Sequence, residues 1–298
     1  MTAKTMLFAA LGVVALVYLV TWVRQVRRGR GDPRPGTTQL AIGFLTNFFD
    51  TLGIGSFAPT TSMFKLNSLV PDEKIPGTLN VGHALPTILQ AFIFIAIVEV
   101  DMTTLIGMIA ASVAGAWLGA GVVASWPRRR VQIGMGLALL AAASFFAMTN
   151  LHLFPPGGET RGLTSPLLWA GIAGNFVLGA LMTLGIGLYA PCMILVALLG
   201  MNPRVAFPIM MGSCAFLMPI GSLRFITKDS YSLKAAVGLA IGGIPAVLFA
   251  AFLVKQIPLE LLRWLVFAVV VYAAVAMLRS SRSDAATPAP SPAPTATP

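Results

Sequence analysis

Asp50 is the one acidic residue in the interior of any long apolar segment of this chain, and it stands three residues before Gly53. An ionisable group at membrane depth is costly, so it either serves a coupling function or is held in a structural pair or turned toward the interface. A carboxyl group there can carry a proton, and once neutral it tolerates an anion that its carboxylate would repel, so proton and anion would bind cooperatively. Around it lie Asn47, Thr51, Ser56, Thr60, Thr61 and Ser62, and in the second half of the chain Asn175, Thr183, Tyr189 and Cys192. Such hydroxyls and amides replace part of an anion's hydration shell without trapping it by full charge pairing. They serve equally well to bond their own helix backbone or to pack between helices. His83, one turn after Asn80, supplies an imidazole that could bind substrate, relay a proton near neutral pH or satisfy a neighbouring carbonyl. Arg224 is the permanent cation inside a late span, where snorkelling to the interface explains it as well as substrate attraction does.

These residues cluster about two glycine-centred turns. Leu52-Gly53-Ile54-Gly55-Ser56-Phe57-Ala58-Pro59 and Leu184-Gly185-Ile186-Gly187-Leu188-Tyr189-Ala190-Pro191 share six of eight residues at an offset of 132, and Pro76 meets Pro208 at the same offset. Glycine allows torsions and close approach that a Cβ forbids. Pro59 and Pro191 fall near the start of the following half-helix, where a missing N–H costs nothing. Half-helix N-termini aimed at the membrane centre present free N–H groups and the positive end of the helix dipole, an arrangement that attracts anions. The substrate-site candidates are therefore Asn47, Gly53, Gly55, Ser56, Thr60, Asn80, His83, Gly185, Gly187, Tyr189 and Cys192, with Asp50 as the proton-coupling candidate.

The elements that position them are membrane spans. Of 298 residues, 57% are hydrophobic and 10% charged, and the mean hydropathy is +0.85, outside the range of soluble domains. Apolar runs at 6–23, 75–98, 102–125, 131–148, 204–226, 233–254 and 259–278 each approach the ~20 residues that cross a bilayer. The first reads as a retained helix, being long and without a small-x-small cleavage site. The net charge of +10 sits in short loops beside spans, where it sets orientation, and nucleic acid is not an expected partner. Cys192 and Cys214 lie in apolar surroundings, so neither a disulfide nor a metal site is expected. No P-loop, H-E-x-x-H or nucleophile elbow occurs, and His83 and His152 are the only imidazoles. An enzyme is not expected, and no cofactor.

The chain divides into an N-terminal helix with a basic cytoplasmic linker (1–38), a first repeat (39–150), a periplasmic loop (151–165), a second repeat (166–279) and a disordered Ala/Pro/Ser/Thr tail (280–298). The segments 39–69 and 167–200 can each cross once as a broken helix or enter and return as two half-helices. Re-entry places 15 of the 20 basic residues on the cytoplasmic side and leaves Lys4, Arg161, Arg204, Lys255 and Arg263 outside. Full crossing gives 11 against 9, so the positive-inside rule favours re-entry. A hairpin plus three spans is an odd number of crossings, so the second repeat enters from the opposite side. The expected fold is an all-α polytopic membrane protein, an inverted repeat of re-entrant hairpin plus three transmembrane helices, preceded by one extra helix.

The paired Gly-rich turns followed by Pro, Ile75-Pro76-Gly77-Thr78 and Ala206-Phe207-Pro208 at helix starts, and the turns Trp126-Pro127-Arg128 and Ile257-Pro258-Leu259 resemble the sulfite exporter TauE/SafE family of permeases over residues 39–278. The resemblance implies a bacterial inner-membrane transporter for sulfite, sulfonates or related small anions, with proton coupling. The expected function is a secondary transporter for a small, sulfur-containing anion working by alternating access. An anion channel with re-entrant selectivity elements is the second reading. The N-terminus is expected in the periplasm and the C-terminus in the cytoplasm. The expected partners are the anionic substrate and the bilayer, with a homo-oligomer open.

Overall fold

The computed structural model describes residues 2–28, 32–123, 125–153, 158–184, 187–253 and, further on, 267, 271, 274, 275, 278, 279 and 282. The expected last helix of repeat two and the expected disordered tail therefore lie largely outside the described residues, as does Gly185. The described residues form ten α-helices and no strand. They run in the order α1 (Ala3–Arg28), α2 (Thr37–Thr51), α3 (Phe57–Leu66), α4 (Ile75–Ile97), α5 (Met102–Val123), α6 (Arg128–Asn150), α7 (Leu167–Met182), α8 (Tyr189–Leu198), α9 (Ala206–Thr227) and α10 (Leu233–Leu253). Single 3-10 turns precede α4 and α9. The order of two short helices, a 3-10 turn and two long helices thus occurs twice, from α2 to α5 and from α7 to α10.

Five described helical stretches are long and apolar enough to cross a membrane: Ala3–Arg27, Asp72–Ile97, Met102–Val123, Pro203–Thr227 and Leu233–Ala251. The distribution of side chains is that of a protein in lipid. Val13, Leu16, Ile106, Leu118, Trp169 and Phe249 are exposed, while Thr46, Asn47, Asp50, Thr60, His83 and Gln90 are buried. In water such an apolar exterior would be a large exposed patch. In hydrocarbon it costs nothing, and the polar groups gather where protein can satisfy them.

Glycine decides how the helices approach. Side chains at Gly115 and Gly179 would run into the Phe176 and Ser112 carbonyls, so α5 and α7 touch backbone to backbone. Gly43 and Gly242 do the same for α2 and α10, against Gly238 and Leu40. Small residues at a shared face are the usual means of helix packing without a hydrophobic driving force. In each pair the contacts ascend together, Gly107 by Ile172 and Gly119 by Ala180, Gly238 by Gln39 and Gly243 by Asn47, so both pairs are parallel. At the centre α4 and α9 run antiparallel. Gly77 at the start of α4 lies against Ser230 just beyond α9, and Phe94 near the end of α4 stacks on Phe207 at the start of α9, with ring centroids 5.2 Å apart.

The loops collect at two ends. At one, Lys65 binds both oxygens of buried Asp72 at 2.8 and 2.7 Å, Gln132 donates to the same carboxylate at 3.0 Å, and Thr78 receives the Ser232 N–H at 2.8 Å. At the other, Asp101 N–H bonds the Arg161 carbonyl, Arg161 pairs with Glu99, and Asn202 N–H bonds the Thr160 carbonyl. Arg224 lies with its guanidinium carbon 4.5 Å over the Trp117 ring, which shares its charge with an aromatic face.

Candidate functional site

The first turn is built by a helix stop. Ile54 N–H bonds the Phe49 carbonyl at 3.1 Å and Gly53 N–H bonds that of Asp50 at 2.9 Å, the Schellman pair that ends a helix on a residue of positive φ. Gly53 takes φ +88° and Gly55 takes +88°, and Gly187 of the second turn takes +74°. Pro59 and Pro191 each occupy the third position of the next helix, α3 and α8, within the turn whose N–H groups have no helical partner.

The two turns meet. The Phe57 Cβ lies 3.7 Å from where a Cβ on Gly187 would be, and the Tyr189 Cβ lies 3.8 Å from the corresponding point at Gly55. Each turn's glycine is thus covered by the ring-bearing residue of the other. The duplicated octapeptides differ at two places, Ser56 against Leu188 and Phe57 against Tyr189, and all four residues line the space between the turns.

Asp50, 2% exposed, stands at this meeting point. Its Oδ2 accepts from Gln90 Nε2 at 2.9 Å, and Gln90 also donates to Thr51 Oγ1 at 3.0 Å. The Gln90 Oε1 in turn accepts the Tyr189 hydroxyl at 2.7 Å. The Ser56 backbone N–H and hydroxyl face the same carboxylate, from the N-cap of α3. A carboxylate of repeat one is therefore wired through one amide to a hydroxyl of repeat two. At the position equivalent to Asp50 repeat two has Met182, and at that of Ser56 it has Leu188. The hydrogen-bonded acid is single although the turn is duplicated.

His83, with no exposed surface, bridges the two arms around the first turn. Its Nδ1 lies 3.0 Å from Asn47 Oδ1 on α2 and its Nε2 3.0 Å from Thr60 Oγ1 on α3. Asn47 Nδ2 donates to the Gly43 carbonyl at 2.7 Å, which leaves its oxygen facing the ring. The network thus assigns the proton to Nδ1, and Nε2 accepts from the Thr60 hydroxyl. His83 holds α2 and α3 together one level away from Asp50, and it does not line the space between the turns.

The remaining hydroxyls divide into two groups. Thr46, Thr51, Thr61 and Ser62 each donate to the carbonyl four residues earlier, the local bond that such residues form in helices. Thr183 bonds the Ala180 carbonyl. Asn80 Nδ2 likewise bonds the Pro76 carbonyl at 2.9 Å, while its buried Oδ1 has no partner. Asn175 Nδ2 ties α7 to the Met108 carbonyl and Ser213. Cys192 is buried in α8, and Cys214 instead reaches the space between the turns, beside Thr87 and Met218. Of the candidates named from sequence, Asp50, Gly55, Ser56, Gly187 and Tyr189 converge there. Asn47, Thr60 and His83 form the adjoining clip, and Asn80 and Cys192 join neither. Gln90 was missed. Its signal was available: the one glutamine in the apolar run 75–98, seven residues and so two turns beyond His83 on the same face.

The space between the turns is about 10 Å³ as swept by the centre of a water-sized sphere, room for one water molecule at most. Residues 167–298 match the family model Sulfite exporter TauE/SafE. That is the family whose motifs the sequence resembles, and the matched segment holds α7 to α10 with Gly187, Tyr189 and Cys192, while Asp50, His83 and Gln90 precede it. A TauE/SafE match implies a membrane transporter, in keeping with the five apolar spans. No curated protein and no solved structure matches the chain. Among the described residues no group of His, Cys, Asp and Glu is arranged to hold a metal ion.

Proposed function

We propose that the chain is a secondary transporter of the TauE/SafE kind that moves a small oxyanion, sulfite or a sulfonate, by alternating access coupled to a proton on Asp50. The observation that carries this reading is the place of Asp50 between the two crossed turns, linked by Gln90 to Tyr189 of the other repeat.

The mechanism rests on competition. The N-cap of α3 offers a backbone N–H and a hydroxyl from Ser56, the donors an oxyanion would seek. In this conformation the Asp50 carboxylate faces those donors, acting as an anion tethered to the site. A substrate can take its place only when Asp50 is neutral, because two negative charges at contact distance in a low-dielectric interior repel strongly. Proton and oxyanion therefore enter together, and the Tyr189 hydroxyl and the Gln90 amide complete a donor set suited to a group with three oxygens. At about 10 Å³ the space excludes such a group, so the turns must part before binding, and the conformation described is a closed one.

Alternating access follows from inverted repeats. The antiparallel run of α4 and α9, equivalent helices of the two repeats, supports inversion, as do the exchanged parallel pairs α2 with α10 and α5 with α7. In this reading α2 with α3, and α7 with α8, are re-entrant hairpins. Lys65, Lys74, Arg130 and Lys234 share the cytoplasmic end, and the N-terminus is periplasmic. The bacterial inner membrane is the location this implies.

The test is flux in proteoliposomes against a panel of sulfite, thiosulfate, sulfoacetate and taurine. Saturable counterflow of one of these anions, accelerated by an inward proton gradient, is the expected result. Conductance without counterflow would identify a channel and overturn the reading.

A further inference from the structure

Helix α1 stands outside the duplicated unit. It packs on α9 and α4, anchored by the Tyr18 hydroxyl on the Val81 carbonyl at 2.7 Å. Between its second half and α10 runs an apolar groove of about 350 Å³, walled by Leu19, Trp22 and Val26 of α1 and Ile241 and Ile244 of α10, with Leu85 of α4 at its floor. Arg27 and Pro33 close one end.

We infer that this groove holds one acyl chain of an anionic phospholipid, with the lipid phosphate on Arg27. The lining is almost wholly apolar, so water does not fill it, and an empty groove would forfeit the dispersion contacts of both walls. The walls extend along α1 from Leu19 to Val26, about 10 Å at 1.5 Å per residue, in the direction acyl chains lie. The charge at the end selects the headgroup. Arg27 sits at the rim, Arg24 is one turn earlier on the same helix, and Arg34 follows Pro33. Among the described residues no carboxylate pairs with Arg27, and the nearby Asp32 accepts instead from the Arg34 backbone. A basic rim on a groove between transmembrane helices is the arrangement that binds anionic headgroups.

The experiment is mass spectrometry of lipid retained by the purified full-length protein, exchanged into equal amounts of phosphatidylglycerol and phosphatidylcholine with identical chains. Wild type should retain phosphatidylglycerol roughly fivefold over phosphatidylcholine, the contribution of one arginine near an anionic surface. Arg27→Gln should abolish the preference while keeping a bound lipid, and Arg27→Lys should keep most of it. Ala240→Phe, which fills the groove from α10, should release the lipid of both kinds. Equal retention of the two lipids by wild type, an unchanged preference in Arg27→Gln, or undiminished retention in Ala240→Phe would overturn the assignment. Should Arg27→Gln not fold, Ala240→Phe and the wild-type preference still decide it. The readout is bound lipid, so it stands or falls separately from transport.

Discussion

Two residues carry opposite duties although both are buried and ionisable. Asp50 is linked through Gln90 to Tyr189 of the other repeat, whereas His83 has its two ring nitrogens committed to α2 and α3 of its own repeat. Asp50→Asn should preserve anion exchange and abolish its acceleration by a proton gradient, measured as counterflow with and without the gradient. A variant that keeps full gradient-driven flux would make Asp50 structural. His83→Ala should instead destabilise the fold. It strands the Asn47 oxygen and the Thr60 hydroxyl, at about 1 to 3 kcal/mol for each buried group left unpaired, and a lowered Tm with residual exchange still gradient-sensitive is the expected pair of results. Loss of gradient response with an unchanged Tm would move the coupling role to His83. Gln90→Leu should cut the connection between Asp50 and Tyr189 and lower flux at least tenfold, since it removes hydrogen bonds to a charged group worth about 1.5 to 3 kcal/mol. Wild-type flux in that variant would remove Gln90 from the site.

At the scale of the element, the turns are fixed by torsion more than by space. A methyl group on Gly55 or Gly187 would find its nearest neighbour at 3.8 or 3.7 Å, which is ordinary contact, but φ is +88° and +74°. An L side chain there costs about 1 to 2 kcal/mol. Gly55→Ala and Gly187→Ala should therefore reach the membrane in near-normal amounts and lose transport, measured as flux per molecule, with Gly55→Asn milder than Gly55→Val because Asn tolerates left-handed torsions. Normal flux in both alanine variants would separate the turns from the transport path. By contrast Gly179→Leu should reduce abundance, because backbone from α5 already fills the place of its side chain.

The whole molecule makes a topological prediction. Cysteines placed at 73 and 129 should react from the same, cytoplasmic side, and cysteines at 100 and 202 from the periplasmic side. Labelling of residue 73 or 129 in intact cells by an impermeant reagent would defeat the re-entrant arrangement. The charge division that led to it can be followed among the described residues. Arg34, Lys65, Lys74, Arg130 and Lys234 adjoin loops of one end, and Lys4, Arg161 and Arg204 adjoin the other, where Lys4 reaches the Ala96 carbonyl.

Much of this was legible in the chain because it depends on local rules. The offset of 132, the Gly-Ile-Gly turns and the apolar spans need only torsional preference, hydropathy and counting, and the structure shows Gly53, Gly55 and Gly187 at positive φ and helices in a duplicated order. Asp50 announced itself by its cost in an apolar segment. What sequence left open was which polar residues meet. Thr61 and Ser62 look as suitable for a ligand as Ser56, and only the fold shows them bonded to their own helix while Ser56 faces Asp50. Likewise Gln90 and Tyr189 are 99 positions apart and become partners only because the two turns cross. Hydrogen bonding acts over about 3 Å and packing over little more, so partnership between distant residues is set by tertiary contact, and the sequence alone fixed the elements that had to be brought together.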